Sequence, residues 1–274
     1  MTEEIINQII NYKIQHPFCT EKDLNELFGV TGAGRILVSN HCTTYELTGL
    51  RCRKYDVKDD YFHVIDTPEK AYILGVLYTD GYLIIEGTKT KRIGLDVADI
   101  KWLEGIKDIL SPTSPLYETY KKNIKRMKLT SSQMYEDLIR LGCTPNKTFT
   151  LTFPTEEQVP KEFLPQFILG MWDGDGSIEI CQRTIHKWTF ENYKITFTKT
   201  KELVEGVQKY LGVEHLKLYQ RFPERNKNNY TLQISGNKCV KDALEKIYIN
   251  PPSICLQRKY NKYIQIMNTS SKGE

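Results

Sequence analysis

Two Asp-Gly pairs each close an apolar run. The first reads Ala71-Tyr72-Ile73-Leu74-Gly75-Val76-Leu77-Tyr78-Thr79-Asp80-Gly81-Tyr82-Leu83, the second Gln166-Phe167-Ile168-Leu169-Gly170-Met171-Trp172-Asp173-Gly174-Asp175-Gly176-Ser177-Ile178. They align without a gap, with the two acids 95 positions apart. A single such run describes a buried helix closed by a left-handed glycine, its Asp facing water. Two of them at matching points of a repeat bring both acids to the same end of one seam when the helices face each other. Gly75 and Gly170 would let the helix backbones approach closely. Carboxylates held side by side repel unless a cation sits between them, so the pair is a site for hard divalent ions, Mg2+ first, with Mn2+ able to substitute. Metal ions a few ångströms apart can generate hydroxide and stabilise the leaving oxygen of a phosphodiester.

The elements that must hold these acids come as a duplication. Ile93 to Leu110 and Ile195 to Leu211 each run from an alternating strand pattern into an amphipathic helix. A basic hairpin follows in each copy, with strands around Lys125 to Ser131 and Tyr230 to Ser235. Helices near Met134 to Leu141 and Lys238 to Ile247 come next. Each unit reads helix, two strands, helix, two strands, helix. The fold class is therefore α+β, with a four-stranded antiparallel sheet in each copy. The expected division is 1–66 for an N-terminal segment, 67–160 for the first unit and 161–274 for the second.

In the N-terminal segment, Ile5, Ile6, Ile9, Ile10 and Ile14 are spaced for a helix that ends at His16 and Pro17. Thr20 is the expected N-cap of a second helix, with Asp23 at the capping-box position and Gly29 as the stop. Thr31 to Ser39 is read as a third, weakened by Gly32 and Gly34. Together they give the outline of a helix-turn-helix, or a small helical cap. Cys42 to Asp66 reads as an extended, basic connector carrying Arg51, Arg53 and Lys54.

With 274 residues the chain can bury a sizeable core. The net charge of +4, from 38 Lys and Arg against 34 Asp and Glu, permits nucleic-acid binding without requiring it. The clusters are more telling: Arg51, Arg53 and Lys54; Lys121, Lys122, Lys125, Arg126 and Lys128; Arg258, Lys259 and Lys262. Tyr55, Tyr117, Tyr120, Tyr260 and Tyr263 interleave them, as suits a phosphate backbone beside groove edges. Arg183, Lys187, Arg221, Arg225 and Lys227 in the second copy complete the expected DNA contacts. Seven Cys without a Cys-x-x-Cys pair point away from a zinc knuckle or redox motif and towards reduced thiols. No apolar run approaches a membrane span and the start is polar, so a cytoplasmic protein of a bacterial or phage-infected cell, or of an organelle, is expected.

The two motif runs and the repeated pattern after them resemble the paired motifs of single-chain LAGLIDADG homing endonucleases, over about residues 68–268. The resemblance implies central motif helices, terminal acids that bind catalytic metals, and two sheets forming a pseudo-twofold saddle on double-stranded DNA. The acids are then Asp80 and Asp175, and the carbonyls of Thr79 and Gly174 are further metal ligands. The earlier motif acid is kept as Asp173 but is Tyr78 in the first copy, which bears on motif packing. The family also places cations near the scissile phosphates. Here Lys199, with Asp99 as its expected first-copy counterpart, Lys147 and Lys259 are the candidates. The implied activity is metal-dependent cleavage of both strands at a weakly palindromic site by a monomer. Two other uses of this fold stay open, a DNA-binding regulator without catalysis and an intron RNA maturase. An intein would need a nucleophile first and His-Asn near the end. The start Met1-Thr2 and the end Ser271-Lys272-Gly273-Glu274 make a free-standing protein the expectation.

Overall fold

The computed structural model describes residues 2–16, 19–34, 37, 55–87, 90–185, 187–220, 224 and 228–269. The chain forms two compact units, Met1–Val57 with Ser111–Ser114, and Lys58–Leu110 with Pro115–Glu274.

In the first unit, α1 (Glu3–Gln15) and α2 (Glu21–Phe28) pack through Ile9, Ile10 and Leu24, joined by Ala33 and Leu37. Thr20 and Asp23 form the capping box: the Thr20 hydroxyl accepts from Asp23 N at 3.2 Å, and Thr20 N donates to Asp23 at 2.7 Å. Gly29 then stops α2 at φ +60°. Asn25 ties α2 to the next stretch by accepting from Ala33 N at 2.9 Å. Ala33, Gly34 and Leu37 are helical; the remainder of the expected third helix beyond Gly34, and the connector as far as Lys54, lie outside the described residues.

The second unit carries the duplication. The first copy runs α3 (Pro68–Thr79), β1 (Gly81–Glu86), β2 (Thr90–Val97), α4 (Ile100–Leu110), β3 (Tyr117–Glu118), β4 (Lys125–Thr130) and α5 (Ser132–Arg140). The second runs α6 (Leu164–Asp175), β5 (Ser177–Ile185), β6 (Trp188–Lys199), α7 (Lys201–Leu211), β7 (Tyr219–Gln220), β8 (Tyr230–Ser235) and α8 (Asn237–Ile247), followed by α9 (Gln257–Asn268). Both sheets are antiparallel with the same order, β1-β2-β4-β3 and β5-β6-β8-β7.

Local chemistry starts and orients these elements. Thr67 caps α3 by accepting from Lys70 N at 3.2 Å, and Pro68 opens its first turn. Ser131 caps α5 by accepting from Met134 N at 3.1 Å. Alternation turns Ile93, Leu95, Met127 and Leu129 inward in one sheet, and Ile195, Phe197, Leu232 and Ile234 in the other. From Ala71 to Thr79 every residue of α3 is buried, as is every residue of α6 from Gln166 to Asp173. A helix apolar all round belongs in a core.

The last part of the expected connector is not extended. Tyr61 N donates to Lys58 O at 3.2 Å and His63 N to Asp60 O at 2.9 Å, so the chain turns. Tyr61, Phe62 and Ile65 are buried and these residues belong to the second unit. Their apolar surface outweighs the extended bias of the preceding polar stretch.

Candidate active site

The two motif helices meet backbone to backbone. A Cβ placed on Gly75 would sit 2.1 Å from the Phe167 carbonyl oxygen, and one on Gly170 2.0 Å from that of Tyr72. Only glycine allows this approach. Around it, Tyr78 packs edge-on against Phe167, ring centroids 4.9 Å apart. At the C-terminal end of the seam, a Cβ on Gly174 would lie 2.0 Å from Thr79 Oγ1 and 3.2 Å from Asp80 Oδ2. The acid of the first copy thus lies beside the backbone of the second.

Neither glycine after an acid closes its helix in the left-handed conformation. Gly176 is extended (φ −74°, ψ 154°), and the chain passes directly from each acid into the first strand of its sheet. These glycines serve contact instead: a Cβ on Gly81 would lie 2.6 Å from Leu77 O, and one on Gly176 2.7 Å from the Trp172 ring.

Burial pushes the Asp80 carboxyl up to about 6, and the negative charge of Asp175 adds to the rise; Lys199, Lys259 and Lys147 oppose it. Asp175 is more open and pairs with Lys199 Nζ at 2.5 Å. The same ammonium lies 3.5 Å from the Thr79 carbonyl of the first copy. Two carboxylates and the neighbouring Thr79 and Gly174 carbonyls offer only oxygen donors, and the strain on Asp80 is what a cation would relieve. The residues therefore fit a hard divalent ion. Among the described residues no three His, Cys, Asp or Glu gather as a closed cage. A metal held here would fill its shell with carbonyls, water and substrate oxygens, which is how magnesium is usually bound.

Lys147 and Lys259 clamp the motif helix ends. Lys147 stands on a single 3-10 turn, Lys147–Phe149, and donates to the Gly81 carbonyl. Burial lowers its pKa. Lys259, in the first turn of α9, donates to the carbonyls of Trp172 and Asp173, both at 2.7 Å. Burial brings it down to about 8 against the pull of Asp173 and the two motif acids. Each ammonium thus satisfies carbonyls at or beside a helix end that would otherwise be orphaned.

Sequence reasoning gave Asp99 as the first-copy counterpart of Lys199. The strand register corrects this: Ile93 pairs with Leu83 and Leu129, as Ile195 pairs with Ile178 and Ile234, which equates Val97 with Lys199. Asp99 lies two residues beyond and pairs with Arg258 at 3.0 Å.

The departure at Tyr78 is a packing solution. Asp173 accepts from Tyr72 Oη at 2.7 Å and from Leu256 N at 2.8 Å, while Trp102 Nε1 donates to Tyr72 Oη at 2.8 Å. Burial still pushes Asp173 up to about 6. Its aligned partner Tyr78 donates instead to the Leu141 carbonyl. Both side chains fasten their motif helix to the segment behind it. Sequence reasoning missed the Tyr72–Trp102 part, for which the one signal was a hydroxyl at Tyr72 where the second copy has Phe167.

On the sheet face turned away from the helices, Arg126 and Lys128 are joined by Arg92. Arg126 grips Asp96 through two bonds of 2.8 and 2.6 Å, and its guanidinium lies 5.8 Å from the Tyr82 ring centroid. Lys128 reaches Glu86 at 3.3 Å. Lys125 has the opposite parity and pairs with Glu118. Lys121 and Lys122 are exposed in the loop before β4, with Lys121 Nζ 5.7 Å from the Tyr120 ring centroid. In the second sheet this face carries Arg183 among mostly uncharged polar side chains, including Ser177, Thr196 and Gln233 in one cross-strand row. Lys187 is exposed in the β5–β6 turn. Arg51, Arg53, Lys54, Arg221, Arg225 and Lys227 lie outside the described residues. Of the basic side chains on the open faces, Arg92 and Lys194 were not anticipated.

Residues 162–248 match the LAGLIDADG-like domain family. Among solved structures, the LAGLIDADG meganuclease I-AabMI bound to uncleaved DNA is similar, with 13% identity and a TM-score of 0.50 over 73% of this chain and 89% of that one. I-SmaMI bound to its uncleaved DNA target in the presence of calcium ions gives 12% identity and a TM-score of 0.50, covering 73% of this chain and 90% of that one. At such identities the likeness bears on the fold. No curated protein matches the chain in sequence.

Proposed function

We propose that this protein is a site-specific endonuclease of the homing type, hydrolysing phosphodiester bonds in both strands of duplex DNA with divalent metal ions held at Asp80 and Asp175. The observation that carries the reading is the convergence of two acids from two copies at one end of a glycine-tight seam, with Lys199 paired to Asp175 and beside the Thr79 carbonyl. Packing alone gives no reason to set the Asp80 carboxyl, already raised by burial, beside the like charge of Asp175.

Magnesium, when bound, would lower the pKa of a coordinated water and polarise a phosphate oxygen. The residues of the chain supply the rest. Asp80 and Asp175 hold the metal's charge in place, with the Thr79 and Gly174 carbonyls as further oxygen donors. Lys199 stands ready to face the negative charge that develops on the phosphate. Lys147 and Lys259 fix the helix ends that carry the acids. The cations on the open sheet faces, Arg92, Arg126, Lys128, Arg183 and Lys194, contact the DNA backbone and base edges. Because the two faces differ in sequence, one chain reads two different half-sites and works as a monomer.

The test is to incubate the protein with a randomised library of duplex DNA and Mg2+, then to sequence the ends formed. Defined double-strand ends that vanish in EDTA and return with Mn2+ are expected. Binding of duplex without any cutting would favour a DNA-binding regulator on the same fold.

A further inference from the structure

We propose that the two reaction centres are chemically unequal, so that the DNA strand whose scissile phosphate faces Lys199 is cut before the other; this rests on the endonuclease reading. The strand register that equates Val97 with Lys199 is anchored at the acids. Leu83 and Ile178 each stand three residues beyond their motif acid and pair with Ile93 and Ile195. Counting four residues on reaches Val97 in one copy and Lys199 in the other.

At this position the second copy presents an ammonium and the first an isopropyl group. Lys199 Nζ lies 2.5 Å from Asp175 and 3.5 Å from the Thr79 carbonyl, at the meeting point of both motif helix ends. Val97 is buried in the first sheet. The other two lysines do not restore the balance. Lys147 and Lys259 are each buried and each engaged with a carbonyl at or beside its own motif helix end. Among the described residues each copy thus has one clamping lysine, and the second alone adds at this seam a lysine that is partly open to solvent.

In hydrolysis the oxygen of water bonds to phosphorus, one phosphorus–oxygen ester bond breaks, and the leaving oxygen takes up a proton from that water. Negative charge accumulates on the phosphate oxygens on the way. A positioned donor facing such charge changes a rate by about a hundredfold to a thousandfold. Among the described residues, the centre with Lys199 has this donor and the centre with Val97 lacks it.

A duplex recovered from the randomised library, labelled on each strand in turn, reads both rates. In Mg2+ one strand should be cut roughly a hundredfold faster, always the same one, and nicked duplex should accumulate. Lys199→Met should bring the fast strand down to the rate of the slow one and leave the slow one unchanged, while Lys199→Arg keeps the order. A readout independent of cutting is ethylation interference in EDTA: one scissile phosphate, on the fast strand, should be marked, and Lys199→Met should erase the mark. Equal rates in the unaltered protein, equal slowing of both strands by Lys199→Met, or symmetrical interference would overturn the inference while leaving the endonuclease reading standing. Absence of any cut duplex overturns that reading, and the inference with it.

Discussion

Replacing Asp80 by Asn should make the protein more stable while ending its activity. The carboxyl sits at about 6 against an ordinary 3.8, raised first by burial and then by Asp175. Below about pH 4 it is protonated in both folded and unfolded chains and the elevation has no effect on stability. Between about 4 and 6 the unfolded chain releases the proton first, so folding stability falls as pH rises; above 6 the full cost is present. A difference of roughly 2 units corresponds to about 3 kcal/mol. Asp80→Asn keeps the shape without the charge. Urea unfolding from pH 4 to 8 should show the variant level with the parent at the acid end and about 3 kcal/mol more stable above pH 7. Mg2+ at a hundred times its dissociation constant should restore about 2.7 kcal/mol to the parent and nothing comparable to the variant. A variant less stable than the parent at pH 7.5, or a difference independent of pH, would refute the argument that Asp80 is held under strain for a cation.

Asp80→Asn and Asp175→Asn should each abolish double-strand cleavage while gel-shift affinity in EDTA stays within severalfold, because the acids serve the metal and not the groove. Gly170→Ala drives a methyl to 2.0 Å from a backbone oxygen; overpacking of about 1–3 kcal/mol or more outweighs the helix-forming gain of up to about 1 kcal/mol, and calorimetry should find a lower Tm. Asp173→Ala strips partners from Tyr72 Oη and Leu256 N, so denaturant unfolding should report a loss of about 2–4 kcal/mol. Deleting residues 2–54 tests the N-terminal unit as an accessory DNA reader: the slope of log affinity against log salt should flatten by about 0.9 for each phosphate no longer neutralised, and footprinting should lose one flank.

The duplication was legible because a repeat declares itself without any knowledge of geometry. Two runs ending in Asp-Gly, each followed by alternating and then helical periodicity, determine the order of elements in both copies. Alternation also assigns the inner strand residues, because successive side chains take opposite faces. Capping is as local, which is why Thr20, Asp23 and Gly29 behave in the structure as their chemistry dictates.

What sequence could not decide is which groups meet across distance. Asp99 is the first charged residue beyond β2 and so takes the place of Lys199 in a reading of residue types, and only cross-strand hydrogen bonds reveal that Val97 holds the matching position. Lys147 and Lys259 look like free surface cations until packing buries them against helix-end carbonyls. Tyr78 and Asp173 look like a broken match, yet each secures its helix by a different hydrogen bond, one donating and one accepting. The sequence by itself determined the residue types, the repeat and the sheet pattern, since these rest on nearest-neighbour preferences and periodicity. The close approach at Gly75 and Gly170 was legible in the sequence, but the tertiary structure alone decided which backbone atoms meet there, the raised carboxyl of Asp80 and the unmatched ammonium of Lys199, because burial and Coulomb interaction depend on distances between residues far apart in the chain.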